Sequence, residues 1–433
     1  MLVVGPLALG AQHDDATAAR VATPEALCRF CAAPLEDVFV DLGMSPVAND
    51  NVPIAQANAM EPFFPLCALV CSRCFLVQLA PFETEKPLFR EDYAYFSSYS
   101  RSWLEHCRRY TEQMTERLAL DASSRVVELA SNDGYLLQYF QQRGIPVLGI
   151  EPTANTAAVA LDKGIPTRVE FWGEATARAV AGAEGQADLL LGNNVLAHVP
   201  DINDFVAGMK IALSEGGTIT MEFPHLLKLI ELNQWDTIYH EHFSYLSFST
   251  VGRVFEAHGL RVFDVQELAT HGGSLRIFGC HADDPRERSA AALALLARER
   301  AAGLQDVQTY RDYGARVIED KRAILTFLID LKRAGSSIAG YGAAAKGNTL
   351  LNYCGVGRDF LDFTCDANPH KQNHVLPGTH IPILAPDAIR ERRPDIVLIL
   401  PWNIKDEVMA QLSHVREWGG RFAARSPELR LFG

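Results

Sequence analysis

The sequence predicts an α/β protein whose central domain is a doubly wound, parallel, Rossmann-like sheet. Three observations predict this architecture. Strands alternate with helices between Arg125 and Glu222, two C-x-x-C pairs lie in the first part of the chain, and a second strand–glycine–helix unit begins at Ser337. Alternation at this spacing is typical of parallel sheets with helices on both faces. We therefore expect a central α/β domain flanked by a small metal-binding module and a second C-terminal α/β domain.

Length and composition are those of a soluble protein with several domains. The chain has 433 residues, too many for one ordinary core, and 48% of them are hydrophobic and 21% charged. Its formal net charge of −13 argues against nucleic acid as a partner, because phosphate backbones bind basic surfaces. A local Lys/Arg pocket for a small phosphorylated ligand remains compatible with this charge.

The N-terminal stretch and the cysteine content indicate a reducing, cytoplasmic compartment. Residues 1–22 are predicted to be a disordered tail, and the apolar stretch Met1–Ala11 has no basic region and is too short to span a bilayer. Nine cysteines are too few for a disulfide scaffold, and four of them form C-x-x-C pairs, which indicates metal binding in a reducing environment. We predict a cytoplasmic monomer or homodimer with no membrane partner.

The two cysteine pairs predict a zinc-binding module over residues 23–85. Cys28-Arg29-Phe30-Cys31 and Cys71-Ser72-Arg73-Cys74 have knuckle spacing, and four thiolates close a tetrahedral zinc site. Four protein ligands leave no position for water, so this Zn²⁺ would be structural. The alternatives are two unrelated surface pairs or a redox dithiol. The other five cysteines lie on apolar segments and are expected to be packing residues.

The middle of the chain, residues 86–282, reads as one alternating domain. Apolar residues from Trp103 to Leu118 recur at helical spacing. The strands that follow are predicted at Arg125–Leu129, Pro146–Glu151, Thr167–Val169, Asp188–Gly192 and Thr218–Glu222, and the helices at Tyr135–Arg143, Asn155–Lys163, 174–182 and Asp204–Leu213. Leu260–Gln266 and Ser274–Cys280 look like adjacent strands without a helix between them, which predicts an antiparallel edge.

A charged stretch at Asp283–Arg288 marks the start of the last predicted domain, residues 283–433. It begins with a long helix at Gln305–Arg333, and a buried strand is expected at Asp395–Leu400.

The turn after the first strand of the central domain predicts a cofactor site. Glu128–Gly134 opens a helix but holds one glycine, which does not suit a dinucleotide pyrophosphate. S-adenosylmethionine asks for less: an acid at the strand end, a small-residue turn, and a carboxylate after the next strand for two ribose hydroxyls. The candidate cofactor residues are Glu128, Ala130, Asn132, Asp133, Gly134, Glu151, Pro152, Asn193 and Asn194. The alternative is a Rossmann-like domain for another nucleotide.

A dense acid/base cluster follows the sheet. Tyr239, His240, Glu241 and His242 are consecutive, and His198 follows the fourth strand at the edge where open α/β sheets bind ligands. A histidine suits proton abstraction from carbon next to a ketone because its pKa lies near working pH. A tyrosine hydroxyl or second imidazole would hydrogen-bond the enolate oxygen.

A second glycine turn, Gly340–Asn348, matches the loose dinucleotide form G-x-G-x-x-A, and Asp366 ends a later strand. Taken alone it would suggest NAD, but the pattern is weak. Lys346 and the amides of the helix start would hold a diphosphate well. The candidate substrate-binding residues are Tyr341, Lys346 and Asn348.

With these residues in view, the chain resembles the sugar C-methyltransferases of deoxysugar biosynthesis, from about Cys28 onward. The matching segments are the two cysteine pairs, Tyr93–Ser100, Ala130–Gly134, Tyr239–His242, His271–Arg276 and Gly340–Gly347. The resemblance implies a four-cysteine zinc module, a class I methyltransferase domain and a C-terminal α/β domain that helps bind a nucleotide-linked sugar.

The resemblance also implies a reaction. Removal of the proton next to the ketone of a nucleotide-linked 4-keto sugar gives an enolate, whose carbon takes the methyl group of S-adenosylmethionine. We expect His242 to be the base, Tyr239 to orient or polarise the substrate, Glu241 to hold an imidazole and His198 to stabilise the enolate. The rival hypotheses are an N- or O-methyltransferase on another small molecule, an NAD-linked sugar-nucleotide enzyme, and a non-catalytic binding module.

Overall fold

The computed structural model describes residues 26–82, 96–425 and 428–433. The predicted tail and the Tyr93–Tyr95 part of the tyrosine-rich motif lie outside these residues. Within the described residues, no helix is both long and apolar enough to cross a membrane.

The cysteine-rich region is built on antiparallel strands. Its strands are β1 (Asp37–Ser45), β2 (Val52–Pro53), β3 (Phe64–Val70) and β4 (Val77–Leu79). β1 pairs with β3 and β3 with β4, and Ser244–Tyr245 from the central part of the chain adds itself beside β4. The turn between β3 and β4 carries Cys71 and Cys74. The metal-binding region therefore shares a sheet with the segment that directly follows Tyr239–His242.

The central domain begins with the helix predicted from its apolar spacing. This helix, α1 (Arg101–Arg117), buries Cys107, Tyr110 and Met114, and the Ser100 side chain caps it by accepting a hydrogen bond from the Trp103 amide. The elements that follow are β5 (Val126–Leu129), α2 (Leu137–Gln141), β6 (Val147–Ile150), α3 (Ala154–Asp162), β7 (Thr167–Arg168), α4 (Glu174–Glu184), β8 (Ala187–Asn193), α5 (Ile202–Ala212), β9 (Leu213–Pro224), α6 (Leu226–Glu231), β10 (Ser244–Tyr245), α7 (Phe248–Ala257), β11 (Leu260–Leu268) and β12 (Ser274–His281).

The central sheet has the strand order β11-β12-β9-β8-β5-β6-β7. Strands β5 to β9 pair in parallel, as the alternation predicts. β12 is antiparallel to both β9 and β11. The two adjacent strands therefore form an antiparallel edge of the sheet, as predicted, with β12 lying one place inside it, between β9 and β11. The order reverses between β5 and β8, which opens a crevice at their carboxyl ends.

The C-terminal part is a second, mostly parallel α/β layer, as predicted. Its elements are α8 (Ala290–Ala301), α9 (Val307–Arg333), β13 (Ile338–Tyr341), α10 (Ala345–Cys354), β14 (Thr364–Cys365), β15 (His374–Val375), β16 (Pro382–Leu384), α11 (Asp387–Arg392), β17 (Ile396–Ile399), α12 (Lys405–Gln411), β18 (Arg421–Arg425) and β19 (Leu429–Phe432). The strand order is β19-β18-β17-β13-β14-β16-β15-β2, so β2 of the cysteine-rich region closes this sheet.

Two hydrophobic cores join the regions to one another. In one core, Phe39 of β1 stacks on Tyr313 of α9 with ring centroids 4.9 Å apart, and the same cluster continues to Ile338 of β13. In the other, Cys28, Cys74 and Leu76 pack with the buried strands and helices of the central domain. The cysteine-rich region is therefore wedged between the two α/β layers.

Candidate functional site

The four predicted zinc ligands converge on one point. The sulfurs of Cys28 and Cys74 lie 3.5 Å apart and those of Cys31 and Cys71 3.6 Å apart, and all four lie within 4.8 Å of one another. A zinc tetrahedron with Zn–S bonds of about 2.3 Å has sulfurs about 3.8 Å apart, so the cluster fits the ion. The site is closed by thiolates alone, which makes the zinc structural.

A cavity of about 910 Å³ lies where the carboxyl ends of the central strands face the C-terminal layer. Single ligand pockets span roughly 300–1,000 Å³, so this cavity is large enough for two reactants to meet. All four predicted catalytic residues line it, as do six predicted cofactor residues and one predicted substrate residue: Tyr239, Glu241, His242, His198, Ala130, Asn132, Glu151, Pro152, Asn193, Asn194 and Lys346.

On the cofactor side, the turn after β5 bends around the carboxylate of Glu151, which directly follows β6. Ala130 and Asn132 have φ angles of 56° and 48°, which tighten this turn. Glu151 accepts hydrogen bonds from the backbone amides of Asn132 and Thr153, each at 2.8 Å. Burial raises the pKa of Glu151, and these hydrogen bonds oppose that rise. The arrangement fixes a carboxylate at the cavity wall.

Three predicted cofactor residues lie behind this wall. Glu128 is fully buried beside Tyr135, and burial raises its pKa well above the usual value. Asp133 pairs with Ser98 and with Lys163, 3.4 Å away. Gly134 has φ 72°, a conformation that favours glycine, and a Cβ there would lie 2.4 Å from the end of the Ile165 side chain.

The loop that carries Tyr239–His242, here called the acid/base loop, holds the imidazole of His242 in a defined tautomer. Nδ1 of His242 donates to the Thr237 carbonyl at 3.1 Å, and the Tyr239 hydroxyl donates to Nε2 at 2.8 Å. Burial, followed by the charges of His198, His271 and Lys346, lowers the pKa of His242 well below its usual value. His242 is therefore neutral at pH 7 with its lone pair on Nε2.

His198 stands beside His242, with ring centroids 4.6 Å apart. Its Nδ1 donates to the backbone carbonyl of Glu241 at 2.8 Å, and burial lowers its pKa to about 4. The sequence predicts that Glu241 holds an imidazole through its side chain. That expectation is corrected by the structure, because the peptide carbonyl, not the carboxylate, makes this contact.

The Glu241 carboxylate instead contacts the cysteine-rich region. Its Oε2 accepts a hydrogen bond from Asn49 at 2.6 Å. Burial raises the pKa of Glu241 to about 7, while the Asn49 hydrogen bond and the charge of Lys371 oppose that rise and Asp50 adds to it. Asn49 and Lys371 both line the cavity and were missed by the sequence analysis. Neither lies in a motif, so no local signal identifies them.

The C-terminal layer contributes two lysines to the cavity wall, Lys371 and Lys346. Lys346 at the start of α10 donates to Asn403 at 2.8 Å and lies 4.5 Å from the Trp402 ring centroid. Burial lowers its pKa to about 8. Tyr341 and Asn348 do not line the cavity: Tyr341 is buried in the core and donates to Gln411 at 3.3 Å, and Asn348 is 1% exposed.

The second glycine turn is closed to a dinucleotide. A Cβ on Gly342, which has φ 96°, would lie 2.4 Å from Pro401, so another chain segment occupies the space that a pyrophosphate would need. Asp366, the candidate ribose acid, accepts a hydrogen bond from the turn's own Ala343 amide at 2.7 Å. These contacts argue against the NAD-linked hypothesis.

His271 is a further cavity residue that the site prediction omitted. It has φ 52°, its Nε2 accepts from Asn194 at 3.2 Å, and its ring lies edge-on to Trp103 with centroids 5.6 Å apart. Its presence in the His271–Arg276 motif is the signal that could have identified it. Trp103, which also lines the cavity, reads from sequence only as part of an amphipathic helix.

Family models match three successive stretches of the chain. A zinc binding domain model matches residues 28–89, a methyltransferase domain model matches residues 103–265, and a C-methyltransferase C-terminal domain model matches residues 269–427. These stretches follow the order of the cysteine cluster, the central sheet and the C-terminal layer.

Comparison with curated proteins and solved structures finds methyltransferases. The C-methyltransferase NovU of Streptomyces niveus is 35% identical over 404 residues, which cover 93% of this chain and 96% of that protein. Among solved structures, magnesium protoporphyrin IX methyltransferase from Synechocystis with bound SAH is 12% identical, covering 41% of this chain and 82% of that chain with a TM-score of 0.33. An S-adenosylmethionine dependent methyltransferase from Mesorhizobium loti is 14% identical, covering 41% and 99% with a TM-score of 0.32.

Proposed function

The chain belongs to the family of S-adenosylmethionine-dependent C-methyltransferases with an N-terminal zinc-binding domain, and from this premise we propose that it methylates the carbon next to the ketone of a nucleotide-linked 4-keto deoxysugar. The observation that carries the proposal is one cavity that brings together a carboxylate for the cofactor, a neutral imidazole and a lysine from the C-terminal layer. Such an acceptor presents an acidic C–H bond and an anionic diphosphate, and the cofactor presents the methyl group.

The proton step is assigned to His242. Its Nδ1 is occupied by the Thr237 carbonyl, so Nε2 is the nitrogen that takes the proton from the acceptor carbon. S-adenosylmethionine supplies the methyl group as an electrophile bonded to a sulfonium. The electron pair of the broken C–H bond stays on the acceptor as an enolate. When bound, the cofactor would give its methyl group to the enolate carbon and leave as S-adenosylhomocysteine, with the C–S electron pair kept by sulfur. A positioned general base is worth roughly 10²–10⁴ in rate.

The enolate oxygen needs a hydrogen-bond donor. The Tyr239 hydroxyl donates to His242 Nε2 in the absence of acceptor, and we assign it to donate to the enolate oxygen once the acceptor enters. The expected enolate-stabilising role of His198 does not suit its tautomer, because Nδ1 faces a carbonyl and the neutral ring then carries its lone pair on Nε2. We assign His198 to accept a hydrogen bond from an acceptor hydroxyl.

The nucleotide diphosphate is assigned to the start of α10. This helix spans Ala345–Cys354, so its first amides and Lys346 present positive charge to the cavity. The acidic chain as a whole repels anions, and the half-buried Lys346 ammonium on the cavity wall is the local exception that a diphosphate requires.

Loss of the Lys346 charge should weaken acceptor binding. Lys346→Met is expected to raise the KM for the nucleotide sugar at least about tenfold, the loss expected for one charge-assisted hydrogen bond. Because the pKa of Lys346 is about 8, the wild-type kcat/KM for the acceptor should also fall above that pH as the ammonium loses its proton. Steady-state kinetics across pH measures both. Lys405→Met, at the start of α12, is the matched control, because Lys405 pairs with Asp406 and is not among the residues that line the cavity. Equal KM values for the two variants would remove Lys346 from the acceptor site.

Glu151 is assigned to the cofactor ribose. Glu151→Gln should weaken S-adenosylhomocysteine binding roughly 10- to 100-fold, because hydrogen bonds to a charged group are worth about 1.5–3 kcal/mol. Calorimetry measures this, with Glu184→Gln on the exposed end of α4 as control. An unchanged dissociation constant for Glu151→Gln would show that the cofactor lies elsewhere.

The reaction is tested with methyl-labelled S-adenosylmethionine and a panel of nucleotide-linked 4-keto sugars. NMR should find the label on the carbon next to the ketone. Label on oxygen or nitrogen, or no transfer to any keto sugar, would overturn the proposed acceptor.

A further inference from the structure

We propose that the zinc-binding region supplies two positioning residues to the methyl-transfer site, Arg29 and Asn49. The inference concerns which residues place the imidazoles and the carboxylate, and it rests on the proposed function only for the reaction used to measure it.

Arg29 lies inside the first zinc knuckle, between Cys28 and Cys31. Its guanidinium donates to the Pro200 carbonyl at 3.2 Å, and its Cζ lies 5.0 Å from the Phe243 ring centroid. Pro200 follows His198 by two residues and Phe243 directly follows His242. One side chain of the knuckle therefore joins the two loops that carry the paired imidazoles.

Backbone hydrogen bonds also hold the first knuckle against α5, next to the two loops. The side-chain amide of Asn203, in the first turn of α5, donates to the carbonyls of Arg29 and Phe30, each at 3.0 Å. The Arg29 amide donates to Gln78 of β4 at 2.8 Å, and Gln78 in turn donates to the Cys28 sulfur at 3.2 Å. The position of the guanidinium is thus set by the thiolate cluster and by α5 together.

The second knuckle reaches the acid/base loop through main-chain contacts. β4, which leaves the Cys71–Cys74 turn, ends at Leu79, whose amide donates to the Phe243 carbonyl at 3.0 Å. β3, which enters that turn, offers the Pro65 carbonyl to Nε2 of His240 at 3.2 Å. The β3–β4 hairpin therefore forms hydrogen bonds with the acid/base loop on both sides of Glu241 and His242.

Asn49 completes this contact from the loop between β1 and β2. β1 belongs to the cysteine-rich sheet and β2 to the C-terminal sheet, so the loop is anchored at both ends. Its donation to Glu241 at 2.6 Å orients a buried carboxylate that forms no ion pair with an arginine or lysine among the described residues, although the charge of Lys371 acts on it. Without this hydrogen bond, nothing described on that side of the cavity fixes the direction of the carboxylate.

Positioning of this kind affects rate more than binding. Displacing reacting groups by about 1 Å costs on the order of 10²-fold in rate. His198 and His242 belong to different loops, and Arg29 contacts a residue of each loop, Pro200 and Phe243. Removing Arg29 or Asn49 should therefore lower kcat and leave the cofactor pocket, formed by β5, β6 and β8, in place.

The test uses the zinc-loaded full chain carrying Arg29→Ala, Arg29→Lys or Asn49→Ala. Arg73→Ala is the control, because Arg73 is the arginine of the second knuckle, where it directly precedes Cys74, and it is exposed. We expect Arg29→Ala and Asn49→Ala to lower kcat and solvent deuterium exchange at the acceptor carbon at least about tenfold. S-adenosylhomocysteine affinity and zinc content should stay within twofold of wild type, Arg29→Lys should recover part of the loss, and Arg73→Ala should match wild type.

A second readout needs no acceptor and so separates this inference from the proposed substrate. In ¹⁵N-histidine spectra, assigned with His198→Gln and His242→Gln, both imidazoles should report the Nδ1–H tautomer in wild type and altered shifts in Arg29→Ala. Unchanged shifts and an unchanged kcat in both alanine variants would overturn the inference, as would an equal loss in Arg73→Ala. If Arg29→Ala loses zinc, Asn49→Ala decides the matter, since Asn49 contacts no cysteine. Failure of every keto sugar in wild type would overturn the substrate alone.

Discussion

Replacement of His242 by asparagine should lower kcat by roughly 10²–10⁴-fold and abolish deuterium exchange at the acceptor carbon in the absence of methyl donor. Asparagine keeps a donor for the Thr237 carbonyl and much of the shape of the ring, but it has no basic lone pair. Cofactor affinity should stay within twofold, because Glu151 and the turn after β5 lie on another wall of the cavity. Rapid-quench kinetics with labelled S-adenosylmethionine and NMR in D₂O measure the two effects separately.

Tyr239→Phe is the variant that distinguishes direct from relayed proton transfer. The phenol now occupies Nε2 at 2.8 Å, so it must turn away before carbon can deliver its proton to that nitrogen. If His242 is the immediate base, Tyr239→Phe keeps measurable exchange and loses rate mainly in enolate stabilisation. Exchange lost as completely as in His242→Asn would make the phenol the immediate proton acceptor, and exchange retained in His242→Asn would contradict both assignments.

The central sheet was predictable because its signal is local. Short Val/Leu/Ile runs such as Val126–Leu129 can be buried on both faces only in a parallel sheet, and the helices between them show their own period. The place of β12 was not predictable from such runs, since pairing partners are chosen by the whole sheet. The same limit applies to β2 and β10, two-residue strands that exist because a distant sheet edge offers hydrogen bonds.

Site residues likewise divide into those that the sequence could predict and those that it could not. His198, Asn194 and Glu151 follow strands, so the carboxyl-end rule brings them together without knowledge of side-chain packing. Arg29 and Asn49 reach the cavity from an unrelated sheet, and no spacing in the sequence relates them to His242. The misassigned role of Glu241 has another cause: a sequence shows that a carboxylate adjoins two imidazoles, but not that its peptide carbonyl makes the contact.

Removal of the zinc should unfold more than the cysteine-rich region. Cys71→Ser is expected to reduce bound zinc below one per chain and lower the first thermal transition by roughly 10 °C, since loss of a metal site costs on the order of 4 kcal/mol or more. The reason lies in the packing. Cys28 and Cys74 belong to the core of the central domain, and Phe39 of β1 stacks on α9, so loosening this region exposes faces of both α/β layers. Calorimetry and metal analysis measure the change.

Cys67→Ser is the control that isolates the metal from the sulfur. Cys67 lies on β3, four residues before Cys71, and is not part of the four-sulfur cluster. Its variant should keep one zinc and a nearly unchanged transition. If the cysteines were instead a redox dithiol, a chelator would leave the thermal transition unchanged, and oxidation would link the two cysteines within a C-x-x-C pair. The shortest sulfur contacts instead run between the pairs, Cys28 to Cys74 and Cys31 to Cys71. A tetrahedral ion holds all four sulfurs in one cluster, and the four sulfurs lie within 4.8 Å of one another. Equal stability of Cys71→Ser and Cys67→Ser would therefore remove zinc from the account of this fold.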